Sequence, residues 1–430
     1  MATSSAGAFP DGSTFNAAIT PRMERRNRFV FTGAYLLTLF AAPVIYVGVV
    51  QAALCHQLGA SASVANLPSA AFLFGNLAPF FLSWAVPHRS ERAVVVWSNA
   101  LTAVSYFLIC VVLVMPLSNS IRITAVIGQG LLQGFCGSTS LVFMYQCLGR
   151  GTTLVSRAVT LKLAFTVAPM AAVAGSLGAQ FLLSHGIPWL AYPTDFAFIY
   201  FIATLCMTGV ALLARRFDLT PVAEEERPAL IPYLQDSVAQ YVRVRSLVVL
   251  WVAYALWYST LAAMPNLSLY AKEALGRDPK ELSGLIMAIR FGGKSLIGYG
   301  LGVLALRSGI RAPLVATVSL LGASTVWAWF APGYSYLLSF AMMGGGELGG
   351  AYFPNYIVSV SPVAWGVRNL SLLTLATPFA SLGALLHGAF ADRWGFHASF
   401  LFGLLTAAAA LLLVARLPAG PAVTNSGEQS

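Results

Sequence analysis

The chain has 430 residues, of which 58% are hydrophobic and only 9% are charged, and its mean hydropathy is +0.75. Soluble domains carry roughly 25% charged residues, so this composition indicates an integral membrane protein and excludes a soluble globular one. The formal net charge of +10 follows a membrane-topology pattern, described below, and does not indicate nucleic-acid binding.

Residues 1–28 are predicted to form an N-terminal tail, and twelve apolar stretches follow, each near the roughly 20 residues that cross a bilayer. They cover about 29–54, 64–86, 93–115, 122–147, 158–184, 196–214, 247–271, 282–305, 312–331, 334–360, 367–390 and 397–415. Residues 215–246 form a charged linker with a predicted amphipathic helix at 233–241, and 417–430 form a C-terminal tail. The predicted fold is all-α, with six-helix bundles at 29–214 and 247–416.

The basic residues are distributed unequally between the two ends of the predicted spans. With a cytoplasmic N-terminus, 17 of the 25 Lys and Arg residues lie on the cytoplasmic side, 5 lie outside and 3 fall within spans. Cytoplasmic loops of membrane proteins carry such an excess of positive charge. We therefore expect a multi-pass protein of the plasma or inner membrane with both termini in the cytoplasm.

Signals of catalysis or cofactor binding are missing from the sequence. The five cysteines are scattered through apolar stretches without a C-x-x-C pair, which predicts neither a metal site nor a disulfide framework. No phosphate-binding G-x-x-x-x-G-K-[ST] motif occurs, so ATP hydrolysis is not the expected energy source. We expect no cofactor, no metal and no enzymatic activity.

The second half of the chain repeats the first at an offset near 217 residues. Arg28 corresponds to Arg245, the pair Phe74-Gly75 to Phe291-Gly292, and Gly128 to Gly345. Two parallel halves joined by a charged linker are a known plan for secondary transporters.

With this duplication, residues 25–416 resemble the major facilitator superfamily. The resemblance implies a transporter that works by alternating access, with spans 1, 4, 7 and 10 around a central cavity. Local motifs depart from the family. The drug/proton antiporter motif R-x-x-Q-G becomes V-I-G-Q-G at 126–130, and the loop at 83–92 keeps its arginines but lacks the aspartate and both glycines. The change in the antiporter motif disfavours a multidrug antiporter, whereas the change in the loop concerns contacts that help gate one conformation in the family.

Charged residues inside predicted spans are the strongest functional signal. Glu347 lies midway along span 10 in the run G-G-G-E-L-G-G, whereas Arg290 and Lys294 lie four residues apart in span 8, on one helix face. Charges within the bilayer are costly and are generally functional. Glu347 is either a proton-coupling site or the partner of one of these cations, and the cations either bind an anionic substrate, pair with Glu347 or line a water-filled vestibule.

Uncharged polar residues on the cavity helices complete the predicted substrate site: Gln129, Gln133, Tyr258 and Asn355. The favoured function is proton-coupled transport of a small organic anion by a monomer embedded in the lipid bilayer. Two alternatives stay open at this point. One is an efflux pump for amphipathic or cationic compounds, and the other is a receptor or scaffold that does not transport.

Overall fold

The computed structural model describes residues 19–86, 90–184, 187, 190–220, 229–361 and 366–418. Within these ranges the regular secondary structure is helical. The helices of the N-terminal half are α1 (Pro21–Phe40), α2 (Ala42–Ile45), α3 (Val49–Gln57), α4 (Ala62–Gly75), α5 (Ala78–Ala85), α6 (Glu91–Val114), α7 (Asn119–Gly151), α8 (Leu154–Ser184) and α9 (Thr194–Ala214).

The C-terminal half begins with a surface helix and continues with nine further α-helices. These are α10 (Leu230–Arg243), α11 (Arg245–Leu261), α12 (Met264–Leu275), α13 (Pro279–Ser308), α14 (Arg311–Phe330), α15 (Leu338–Gly346), α16 (Gly349–Val360), α17 (Gly366–Thr374), α18 (Ala376–Trp394) and α19 (Phe396–Ala415), with a 3-10 helix at Gly333–Leu337.

The predicted fold class, an all-α membrane protein, is confirmed. Among the described residues, 8 helical stretches are long and apolar enough to cross a membrane. The number twelve for the spans stays a prediction. So do the boundaries of the two bundles, the linker and the tails, because 1–18, 221–228 and 419–430 lie outside the described residues.

Each half has its own buried apolar core. One core is built mainly from α1–α9 around Phe31, Tyr106 and Phe196, and the other mainly from α11–α19 around Trp257, Phe340 and Phe353. Lipid is as apolar as these side chains, so close packing rather than exclusion from water holds such helices together.

The first membrane helix breaks between α2 and α3, at Tyr46, Val47 and Gly48. Gly48 has φ 152°, a conformation that favours glycine, whereas Pro43 lies at the start of α2 and cannot donate to the Leu39 carbonyl of α1. The Gln51 side chain bridges the break, because its Oε1 accepts from the Gly48 amide (3.1 Å) and its Nε2 donates to the Val44 carbonyl (2.6 Å). The chain therefore unwinds at this point without losing the hydrogen bonds of those two backbone groups.

A second break separates α15 from α16 at Glu347 and Leu348. The Trp257 indole Nε1 donates to the Gly346 carbonyl at 3.1 Å. The surrounding glycines are required by close packing: a Cβ at Gly344 would collide with the Arg290 carbonyl, and one at Gly349 would lie 2.6 Å from the Trp257 ring. The glycine run thus brings Glu347 directly against α13 and α11.

The two halves are joined through the pairs α4–α18 and α8–α13. Hydrogen bonds tie them on the side of the membrane away from the termini, an arrangement we call the clasp. The clasp comprises Asn66–Asn266 (2.5 Å), the amides of Ala62 and Ser63 on Asp392 (2.7 and 2.9 Å), Gln57–Asp278 (2.8 Å), Leu285–Gln180 (2.8 Å) and the Lys280–Asp195 ion pair.

His387 supports the centre of the clasp from within the C-terminal half, where it is fully buried. Asn266 Nδ2 donates to the His387 carbonyl (2.7 Å) and to Ser399 Oγ (2.9 Å). The His387 ring lies between Ser399 Oγ (2.8 Å from Nδ1) and the Ser259 carbonyl (3.0 Å from Nε2). These partners satisfy a neutral imidazole that carries its proton on Nε2.

Candidate functional site

A cavity of about 1160 Å³ lies between the two halves. It extends from the middle of the molecule toward the side of the termini, where Trp84 and Val86 line it from one half and Leu370 and Thr374 from the other. Among its described lining residues the charged ones are Arg290, Lys294 and Glu347, and all three belong to the C-terminal half.

These three residues form a shared-carboxylate cluster, which we call the triad. Arg290 Nε and Nη2 both contact Glu347 Oε1, and Lys294 Nζ lies 3.3 Å from Glu347 Oε2. The side chains of Arg290 and Glu347 are 8% and 5% exposed, and that of Lys294 is 23% exposed. The more open member, Lys294, is therefore the one that an incoming molecule reaches most easily.

From the sequence, either Arg290 or Lys294 could be the partner of Glu347, and in the structure both residues are. Each carboxylate oxygen takes one cation, so Glu347 pairs with both residues at once. With all three groups ionised, the cluster carries one excess positive charge. A buried charge of this kind requires a counter-charge or hydrogen-bonding groups nearby.

Tyr46 supplies part of that environment from the opposite half. Its ring centroid lies 5.4 Å from Arg290 Cζ and 5.6 Å from Lys294 Nζ, within the range of cation–π attraction. The break at Gly48 positions this ring between the halves. The sequence indicates Tyr46 only as one of the aromatic residues that flank Pro43 in span 1, outside the four uncharged residues named for the predicted substrate site.

An aromatic wall borders the triad on α11. The Tyr254 ring stacks on Trp257 at 5.5 Å between centroids, and Tyr258 contacts both rings at 4.9 and 4.6 Å. All three residues line the cavity. Trp257 also holds the Gly346 carbonyl, so the wall and the helix break at Glu347 are one connected unit.

The predicted uncharged site residues have different locations. Tyr258 and Gln133 line the cavity, and Gln133 Oε1 accepts from Tyr106 Oη at 2.8 Å. Gln129 is 3% exposed and its amide has no hydrogen-bond partner among the described residues, but it does not belong to the lining. Asn355 is exposed on the outside of α16, away from the lining.

The N-terminal half contributes neutral polar groups to the cavity. Ser69, Asn76 and Gln146 line it, and Ser69 Oγ, Asn76 Oδ1 and Gln146 Oε1 are buried atoms without a hydrogen-bond partner in the described part of the chain. Ser69 and Gln146 are absent from the sequence prediction. A buried polar atom without a partner is costly, so a ligand that reaches any of these three oxygens gains a favourable hydrogen bond.

The chain matches no protein-family model and no curated protein. Its fold is nevertheless similar to solved structures. The nucleoside transporter NupG matches with a TM-score of 0.64 at 11% identity, over 92% of this chain and 98% of that one. A POT family transporter in complex with 5-aminolevulinic acid matches with a TM-score of 0.64 at 13% identity, over 94% and 98% of the two chains.

A bacterial homologue of the human lysosomal transporter Spinster, in an inward-facing and unoccupied conformation, matches with a TM-score of 0.59 at 13% identity, over 93% of this chain and 98% of that one. All three are transporters of the major facilitator type. The chain therefore has the major facilitator fold, which confirms the resemblance seen in the sequence, and it is a multi-pass membrane protein.

Proposed function

We propose that the chain is a secondary transporter that moves a small organic anion by alternating access and couples this movement to protons through Glu347. The observation that carries the proposal is the triad, in which two cations share one carboxylate at the wall of a large central cavity. Fold alone does not assign a substrate, so the proposal rests on the chemistry of this site.

The charge balance of the triad favours an anion. The ionised cluster has a net charge of +1 and opens to the cavity through Lys294. A guanidinium binds carboxylate or phosphate in a fixed planar geometry, whereas an ammonium acts as a compact point charge. A cationic drug would meet net repulsion here, which argues against the alternative of cation efflux.

Glu347 is the group through which protons would enter the cycle. Protonation of its carboxylate removes the negative charge that Arg290 and Lys294 share, and both cations then become available to the substrate. By linkage, an anion that binds these cations must in turn favour the protonated carboxylate. Proton and anion would therefore load together and leave together.

Three further features of the proposal are taken from the sequence predictions. They are a monomer, both termini in the cytoplasm, and location in the plasma or inner membrane. The cavity would then face the cytoplasm, and the clasp would close the outer side.

Uptake by proteoliposomes tests the proposal. Panels of labelled organic anions are offered with and without an inward proton gradient. Wild-type protein should accumulate an anion only with the gradient, Glu347→Gln should abolish the effect of the gradient, and Arg290→Gln should abolish anion uptake. Lys272→Gln, which removes an exposed lysine from the same half, is the matched control and should behave as wild type.

The proposal fails in two separable ways. Gradient-driven uptake by Glu347→Gln would exclude the coupling role of that residue. Normal anion uptake by Arg290→Gln would exclude the substrate role of the triad. Uptake of organic cations in preference to anions would favour the efflux alternative.

A further inference from the structure

We propose that the transported anion has no free ammonium group, and that its second functional group is a neutral hydrogen-bonding one, such as an amide or hydroxyl. The substrate class is thus an N-acylated amino acid, a hydroxy acid or a related carboxylate, not a zwitterion. This inference rests on the proposed function, because it assumes that the triad binds the negative end of the substrate.

Among the described lining residues of the cavity, Glu347 is the one acid, and it is already paired with Arg290 and Lys294. Between residues 29 and 214 the sequence contains two acidic residues, Glu91 and Asp195. Glu91 pairs with Arg150 at 2.8 Å, and Asp195 pairs with Lys280 in the clasp. Neither lines the cavity.

The acidic residues of the C-terminal half, apart from Glu347, also lie outside the cavity lining. Between residues 247 and 416 its acids other than Glu347 are Glu273, Asp278, Glu281 and Asp392. All four lie at the ends of helices on the side of the clasp, and none lines the cavity. Glu347 itself is already shared by two cations. In the part of the cavity lining that the structure describes, an ammonium group would therefore meet a net positive charge and no unshared carboxylate.

The N-terminal half lines the cavity with neutral polar side chains. Asn76 and Gln146 are amides that can both donate and accept, and the Ser69 hydroxyl, in a residue only 6% exposed, can do the same. Among these groups, Ser69 Oγ, Asn76 Oδ1 and Gln146 Oε1 are the atoms without a hydrogen-bond partner among the described residues. These unpartnered oxygens accept from an N–H or O–H donor, and an amide or hydroxyl supplies such a donor without adding a positive charge to a lining whose described charged residues already carry an excess of one.

The aromatic wall adds apolar lining to the cavity that also contains the triad and the neutral polar groups. Tyr254, Trp257 and Tyr258 present ring surface beside the triad, and cavities that combine such surface with a few polar groups suit partly apolar ligands. We therefore choose phenyl compounds as probes. They share a phenyl ring on a three-carbon chain and differ in the substituent at the α-carbon and in the carboxyl group.

The experiment measures stabilisation of the purified full-length protein by four compounds, since a ligand raises apparent stability according to its affinity. The compounds are N-acetylphenylalanine, 3-phenylpropionate, phenylalanine and phenylalanine amide. We expect N-acetylphenylalanine to bind most tightly, at least about tenfold tighter than phenylalanine, which corresponds to 1.4 kcal/mol. Phenylalanine amide, a cation, should bind most weakly.

Variants of the N-terminal half separate this inference from the proposed function. Asn76→Leu and Gln146→Leu should bring N-acetylphenylalanine down to the affinity of 3-phenylpropionate, while Arg290→Gln should abolish binding of both. If Asn76→Leu does not fold, Asn76→Ser takes its place.

Equal or tighter binding of phenylalanine would overturn the inference while leaving the proposed anion transporter intact. So would an unchanged preference in both Asn76→Leu and Gln146→Leu. If none of the anions stabilises the protein, or if Arg290→Gln binds them normally, the proposed function fails and the inference fails with it.

Discussion

Replacement of Glu347 by glutamine should destabilise the protein strongly, because the neutral amide leaves two cations facing each other in a largely buried site. At an effective dielectric constant of about 20, unit charges separated by the 3.3 Å between Lys294 Nζ and Glu347 Oε2 attract by about 5 kcal/mol. Desolvation offsets part of that attraction. Removing one member of a buried pair nevertheless costs about 3–5 kcal/mol, since the remaining charge stays buried and unpaired.

The assay is thermal unfolding of the purified protein in detergent, with Glu273→Gln as the control because Glu273 is exposed in the same half. We expect Glu347→Gln to lower the apparent midpoint by roughly 10 °C, from about 2–4 °C per kcal/mol for a chain of a few hundred residues. An organic anion that binds the freed cations should restore the midpoint more in this variant than in the wild type. If Glu347→Gln and Glu273→Gln unfold together, the triad does not hold the site as we argue.

Three further changes test other parts of the structure. The hydroxyl of Thr153 donates to Glu24 (2.5 Å) and lowers the pKa of this carboxyl, which precedes the first predicted span; Thr153→Val should therefore reduce stability above about pH 4.5, and the difference from wild type should disappear as pH falls through the lowered pKa. Gly344→Ala places a methyl group against a backbone carbonyl of α13, and overpacking of this kind typically costs 1–3 kcal/mol in unfolding assays. Asn66→Ala removes the donor to buried Asn266 and should weaken the clasp by about 1–3 kcal/mol, which spin-label distances across the clasp would detect as opening.

These three predictions have matched controls. Gly292→Ala adds the same methyl group to α13 where no atom lies within 4 Å, so a loss of stability equal to that of Gly344→Ala would contradict the packing argument. For Thr153→Val, a stability difference that persists in acid would exclude the carboxylate as its cause. Spin labels at Ser61→Cys and Arg277→Cys lie on exposed positions of opposite halves, and all five native cysteines are buried. An unchanged distance distribution in Asn66→Ala would show that this bond does not hold the clasp.

The sequence was sufficient to predict the fold class and to single out the three charged residues of the site. Hydropathy marks membrane helices because a charge in lipid is costly, and the same rule makes Glu347, Arg290 and Lys294 conspicuous. The duplication then indicated two bundles. None of this depends on how individual side chains are oriented.

The arrangement of the site depends on orientation, and there the sequence was less informative. An apolar helix in lipid has little periodicity to show which face meets the cavity, so Asn355 was predicted in the site although its side chain points outward. Glu347 reaches both cations because glycines let α13 approach closely. Tyr46 reaches them because the chain unwinds at Gly48. Both effects arise from contacts between distant helices.

The clasp gives the two faces of this protein different apparent affinities for the same ligand, even where the intrinsic affinity of the binding site is equal from both sides. Under the proposed alternating access, opening toward the far side would break every hydrogen bond of the clasp, which would make that open state rare without a ligand. A molecule arriving from that side binds only the rare state, and its apparent dissociation constant rises by the inverse of that state's population. Directional preference in exchange assays would then originate at Asn66, Asp392 and Lys280, far from the residues that touch the cargo.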